Sequence, residues 1–155
     1  MDIKLFTRTS IQQLSDKQKG QIILLDQTLE EQRWSSKVWR ETWEDFAHFS
    51  LQTYTLEDDL IAFGLWTLPP MEEVMHLLKI VVLPMHRGKG VAGQLFENML
   101  LQFPQKGVFL EVKVSNAVAI NFYQKHGLRI LNKARNYYGA GKDAYKMFKA
   151  ALPNA

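Results

Sequence analysis

The chain contains no cysteine in 155 residues. That excludes a disulfide framework, a zinc–thiolate centre and a thiolate nucleophile, and it is compatible with a reducing compartment. No apolar stretch approaches the roughly 20 residues a membrane-spanning helix needs. The opening Met1-Asp2-Ile3-Lys4-Leu5 has neither the basic start nor the apolar run of a signal peptide. The expectation is a cytoplasmic protein without a membrane partner. The four histidines, His48, His76, His86 and His126, show no ligand spacing, so no metal is expected. Repeats, low-complexity tracts and linkers are also lacking. Hydrophobic residues make up 46% and charged residues 23%, an ordinary globular balance at a length that suits one domain over residues 1–155.

The net charge of +3 hides an asymmetry. Asp26 to Glu73 holds eleven acids against three bases, whereas Val74 to the end holds twelve bases against three acids. Solvated faces account for such a split. So does a C-terminal half that meets a polyanion, with an acidic segment that meets a cation.

Periodicity predicts a strand over Ile3–Arg8, a helix over Asp16–Leu29, and a second helix capped by Ser35 or Ser36 with Val38, Trp39, Trp43 and Phe46 on one side. A hairpin follows, Phe49–Thr55 and Leu60–Thr67 around Glu57-Asp58-Asp59. Pro69-Pro70 breaks the chain, and Val74–Leu83 reads as a buried strand stopped by Pro84. Ala92, Leu95, Phe96, Met99, Leu100 and Phe103 trace one helical face, ended by Pro104 and Gly107. Val108–Val114 is a strand, Asn116–His126 a helix closed by Gly127, and Leu128–Arg135 and Ala144–Lys149 two further strands. The order β-α-α-β-β-β-α-β-α-β-β implies an α/β mixed sheet with a parallel pair inside it and helices on its faces.

Between the sixth element's end and the strongest helix lies Pro84-Met85-His86-Arg87-Gly88-Lys89-Gly90-Val91-Ala92-Gly93. A helix N-terminus offers unpaired N–H groups and a positive dipole end, which suit a pyrophosphate. Glycines let backbone approach such a ligand closely, and Arg87 and Lys89 add charge. A Walker loop is excluded because Gly88-Lys89 is followed by Gly90 rather than Ser or Thr. A dinucleotide fold is disfavoured because the turn comes halfway along the chain with no second βαβ half.

The triplet Arg87, Gly90 and Ala92 resembles the acetyl-CoA signature of the GNAT acetyltransferase superfamily, and the element order is similar to that fold over nearly the whole chain. The resemblance implies a mostly antiparallel sheet whose central parallel strands splay apart around the cofactor. It also implies that acetyl-CoA is held by Ile80, Val81 and Val82, by the turn Arg87, Gly88, Lys89, Gly90, Val91, Ala92 and Gly93, and by Asn116. Further on, Glu111-Val112, Ser115-Asn116, Ala119 and Tyr123, then Arg135-Asn136-Tyr137-Tyr138 and Asp143-Ala144, resemble the ribosomal-protein-alanine N-acetyltransferase (RimI-type) family. Trp34-Ser35 resembles that family's Trp-Ser motif. This implies Glu111 as general base, Tyr123 as general acid, and Trp34, Tyr137 and Tyr138 near the acceptor, a basic ribosomal-protein N-terminus. The sequence departs from the family's usual pattern at Leu83 before Pro84, at Leu128 after Gly127, and at Gly139, where proline is usual beside the peptide-binding loops.

The chemistry is coherent on its own terms. Only a neutral amine attacks a thioester, so a carboxylate must take a proton, and the departing thiolate needs a donor. The oxyanion needs a backbone N–H, for which Val82 is the candidate. From spacing alone Glu111, which interrupts an apolar strand, is equally a surface partner of Lys113. Asn116 can cap the helix without giving up a cofactor contact, and a core role is the commoner one for a tyrosine placed like Tyr123. The alternatives are a GNAT enzyme for a small amine, polyamine or lysine side chain, a catalytically silent acyl-CoA sensor, and a basic nucleic-acid-binding domain. The last lacks the aromatic–basic alternation of an RNA-binding sheet, so direct nucleic-acid contact is not expected.

Overall fold

The computed structural model describes residues 2–6, 11–29, 32–68 and 72–152. Pro69-Pro70 and the end of the first expected strand lie outside them. The elements come in the expected order: β1 (Asp2–Phe6), α1 (Asp16–Asp26), α2 (Ser36–Glu44), β2 (Phe49–Leu56), β3 (Asp59–Thr67), β4 (Val74–Val82), α3 (Val91–Gln102), β5 (Gly107–Lys113), α4 (Ala117–Lys125), β6 (Arg129–Ala134) and β7 (Ala144–Lys149). Among the described residues no helix is long and apolar enough to cross a membrane.

Local chemistry sets the boundaries. Ser15 and Gln18 form a reciprocal capping box at the start of α1, with bonds of 3.1 and 2.8 Å. That helix stops at Asp26, three residues before the expected Leu29, where the bonding tightens to three-residue turns, Thr28 N to Leu25 O at 3.1 Å and Leu29 N to Asp26 O at 3.0 Å. Ser35 rather than Ser36 caps α2, accepting from Val38 N at 3.2 Å. The hairpin turn is two residues, Glu57 and Asp58, both at positive φ (51° and 69°). This is the geometry whose twist matches the flanking strands, and it frees Asp59 to join β3.

The described strands form one sheet in the order β1-β2-β3-β4-β5-β7-β6. All neighbours are antiparallel except β4 and β5. That parallel pair joins only at Val74–Gly107, Met75–Val108 and His76–Phe109. Beyond it each strand keeps its outer partner, β3 or β7, and a gap opens between them.

The registers Leu77–Trp66 and Lys79–Leu65 make Leu78 an extra residue in β4. Such a bulge reverses the alternation of faces. Met75 and Leu77 therefore pack with Trp66, Phe96, Met99, Leu110 and Met147 under α3. After the bulge, Val81 joins Ile22, Leu25, Trp39, Phe63 and Leu65 under α1 and α2. Gln52, fully buried, locks α3 to the sheet: its Nε2 donates to Leu95 O at 2.6 Å, and its Oε1 accepts from Trp66 Nε1 at 2.8 Å. The helix whose N-terminus follows the glycine turn is thus held in a defined place.

Candidate active site

After a single 3-10 turn at Pro84–His86 the chain passes through Gly88 at φ 76° and Gly90 at φ 80°, the latter serving as N-cap of α3. Left-handed backbone strains any residue with a Cβ. A Cβ built at either position would meet no atom within 4 Å, so open space lies over the turn. The first N–H groups of α3 have no acceptor within the helix. A groove of about 570 Å³ runs here, lined by Ile80, Val81, Val82, Arg87, Gly88, Gly90, Val91, Ala92, Gly93 and Asn116. Lys89, expected with them, does not line it. His86 and Phe122, which sequence reasoning passed over, do.

The Arg87 side chain also has a structural task, since its Nε donates to Val82 O at 3.0 Å. The bond from Leu83 N to Ile61 O (2.7 Å) flanks the Val82–Ala62 pair and makes it a non-hydrogen-bonded one. The N–H and C=O of Val82 therefore point away from β3, towards the gap.

A second cavity of about 370 Å³ is lined by Gln32, Arg33, Trp34, Lys79, Glu111 and Tyr138. It shares Leu29, Ile80, Val81, Asn116, Ala119 and Tyr123 with the groove, so the two adjoin at the strand gap. Asn116 Oδ1 accepts from Ala119 N at 3.2 Å as the cap of α4, and the residue also lines both spaces.

Glu111 is paired with one neighbour and faced by another. His76 Nε2 lies 2.6 Å from Glu111 Oε2, with side-chain exposures of 31% and 13%. The Tyr137 hydroxyl lies near enough to feel the same carboxylate, which favours its protonated form. The contact with His76 follows from the register His76–Phe109, because Glu111, two residues beyond Phe109, shares its face. Nothing in the spacing of two residues 35 positions apart signals this pair.

Burial pushes the Tyr123 phenol well above its usual range, with Tyr138 adding to the shift. Burial, then Tyr137 and Glu111, raise Tyr138 to about 12. Burial, then the charge and hydrogen bond of Glu111, raise Tyr137. All three remain protonated donors near neutral pH. The loop that carries Tyr137 and Tyr138 is closed by Asn136 N to Asp143 Oδ1 (2.9 Å), Gly141 N to Asn136 Oδ1 (2.8 Å) and Tyr138 N to Lys142 O (3.0 Å).

None of the described acids between Asp26 and Glu73 lines this cavity. Asp26 is buried against Lys79, Glu41 pairs with Lys37, Asp45 pairs with His48, and Glu57 to Asp59 occupy the β2–β3 turn. The cavity wall carries Arg33 instead. Glu30 and Glu31 lie outside the described residues.

The family model described as Acetyltransferase (GNAT) family matches residues 17–128. An N-alpha-acetyltransferase of Sulfurisphaera tokodaii is 36% identical over 84 residues, 52% of this chain and 50% of that protein. The chain thus spans about half the length of this relative. The [ribosomal protein bS18]-alanine N-acetyltransferase of Salmonella typhimurium is 31% identical over 102 residues, 64% of this chain and 68% of that one. The crystal structure of the ribosomal-protein-S18-alanine N-acetyltransferase from Escherichia coli superposes with a TM-score of 0.78 at 21% identity, covering 99% of both chains. That likeness carries the fold.

Proposed function

This chain belongs to the acetyltransferase (GNAT) family, and we propose that it acts as a single domain that transfers an acetyl group from acetyl-CoA to the primary amine at a protein N-terminus. The observation that carries the reading is the groove from the glycine turn through the β4–β5 gap to a cavity lined by Glu111, whose carboxylate meets His76. The open space over Gly88 and Gly90 fits a pyrophosphate. Val91, Ala92 and Gly93 N–H groups hold it, Arg87 adds charge, and Ile80 to Val82 flank the pantetheine arm. Acetyl-CoA supplies an activated thioester.

In this reading Glu111 takes the proton from the incoming ammonium, directly or through a water, and His76 and Tyr137 fix the carboxylate and share its charge. Tyr123, kept protonated by burial, gives the departing thiolate a proton or hydrogen bond. The Val82 N–H faces the gap as oxyanion donor. Trp34, Tyr137 and Tyr138 frame the acceptor. The names of the similar proteins support an N-terminal alanine of a small-subunit ribosomal protein as acceptor.

The test is acetyl-CoA turnover with an N-terminal alanine peptide, the same peptide with a blocked N-terminus and an internal lysine, and a free polyamine, with the acetylated atom read by mass spectrometry. Acetylation of the α-amine alone is expected. Faster transfer to the polyamine or lysine would give the site to a small-amine or side-chain acceptor.

A further inference from the structure

Two charges lie buried beneath the α1–α2 connection. Asp26, the last residue of α1, and Lys79 of β4 meet at 2.7 Å, with side-chain exposures of 0% and 4%. Removing both ions from water costs several kcal/mol each, which their mutual attraction offsets only when their remaining donors and acceptors are also satisfied. They are, and mostly by one short segment. Asp26 Oδ2 accepts from Trp34 N at 2.8 Å and from Trp39 Nε1 at 2.9 Å. Lys79 Nζ donates to Gln32 O at 2.6 Å and sits 4.7 Å from the centre of the Trp34 ring.

Residues 32–34 have no regular secondary structure of their own to satisfy those backbone groups. An apolar pair at 26 and 79 would fill the same core volume but leave Gln32 O and Trp34 N without these partners. The same residues, with Lys79, form one wall of the Glu111 cavity and are absent from the wall of the glycine-turn groove. The bulge at Leu78 is what turns Lys79 to this side.

We propose that the Lys79–Asp26 pair is a positioning device for acceptor recognition: it fixes the main chain of residues 32–34 as the wall against which the first residues of the acceptor lie. The inference rests on reading the Glu111 cavity as the acceptor's. It separates the two substrates, because the pair shapes one cavity and leaves the other alone.

The variants are Asp26→Asn, Lys79→Met and the apolar double Asp26→Leu/Lys79→Met. The measurements are steady-state kinetics with an alanine peptide, calorimetry with coenzyme A, thermal unfolding, and hydrogen exchange of the Trp34 amide. In each single variant the acceptor KM rises about tenfold or more, the scale of losing a charge-assisted hydrogen bond. kcat and coenzyme A affinity stay within about twofold, the split expected when ground-state binding alone is lost. The Trp34 amide exchanges faster. The double variant regains thermal stability, since no unpaired charge remains, but not the acceptor KM. A double variant that regains both would assign the pair to core stability and overturn the proposal. So would single variants with unchanged acceptor KM and an equally slow Trp34 amide. If the wild-type protein acetylates no peptide, the functional reading falls, while an unchanged Trp34 exchange rate in Asp26→Asn would separately refute the positioning claim.

Discussion

Replacing Glu111 by glutamine removes a charge while nearly keeping a shape. The amide oxygen can still accept one bond, but the other position, an acceptor in the native carboxylate, becomes an NH₂ donor facing His76 or Tyr137. A positioned general base contributes about 10²–10⁴ in rate, or about 3–5 kcal/mol of barrier. An α-amine of pKa near 8 is only about one-tenth neutral at pH 7 and mostly neutral at pH 9. The expected deficit in kcat is therefore largest at pH 7 and shrinks by about tenfold by pH 9, where solvent has already removed the proton. Coenzyme A affinity should hold, because Glu111 does not line the glycine-turn groove. Losing a charge-assisted bond to His76 costs about 1–3 kcal/mol of stability, so rates must be read well below the lowered Tm. His76→Asn should cost less than Glu111→Gln, and the double variant should be no slower than Glu111→Gln, since groups that act as a unit are not additive. Peptide acetylation followed by thiol release, from pH 6.5 to 9.5, reads all of this. A kcat/KM for Glu111→Gln within about threefold of wild type at pH 7, or a deficit that does not change with pH, would refute Glu111 as the base.

Three further outcomes are expected. Gly90→Val places a β-branched residue at φ 80°, which costs about 1–2 kcal/mol of folding stability and puts a side chain into the open cradle; coenzyme A affinity measured by calorimetry should fall, and an unchanged value would remove the groove from the cofactor. Tyr123→Phe should lower turnover and flatten the alkaline loss of stability. The unfolded phenol ionises near pH 10 and the folded one higher, so the folded state binds more protons above pH 10, and its contribution is present below that pH and lost above it; denaturant midpoints at pH 8 and pH 11 check the sign. Gly107→Ala would bring a Cβ to 2.8 Å from the Lys149 carbonyl, at the base of the strand gap; a loss of about 1–3 kcal/mol is expected in chemical denaturation.

Much of this protein is written locally. The apolar face of α3, the capping serine of α2 and the positive-φ glycine after α4 each sit within a few residues of what they control, so their patterns are legible along the chain. The same holds for the glycine turn, whose residues line the groove together except for Lys89. Glu111 stood out as a charge in an apolar strand, but spacing could not say what it faced. Its partner His76 is supplied by the β4–β5 register, and Tyr137 by a loop beyond α4 and β6. One extra residue at Leu78 turns Lys79 towards Asp26, 53 positions away, and with them the wall of the second cavity. The described acids of the segment from Asp26 to Asp59 are distributed over a buried pair, a helix surface and a hairpin turn. Composition along a chain counts charges without saying which way they point. Pairing register and bulges decide direction, because strand side chains alternate with a period of two and a shift of one residue moves each of them to the opposite face.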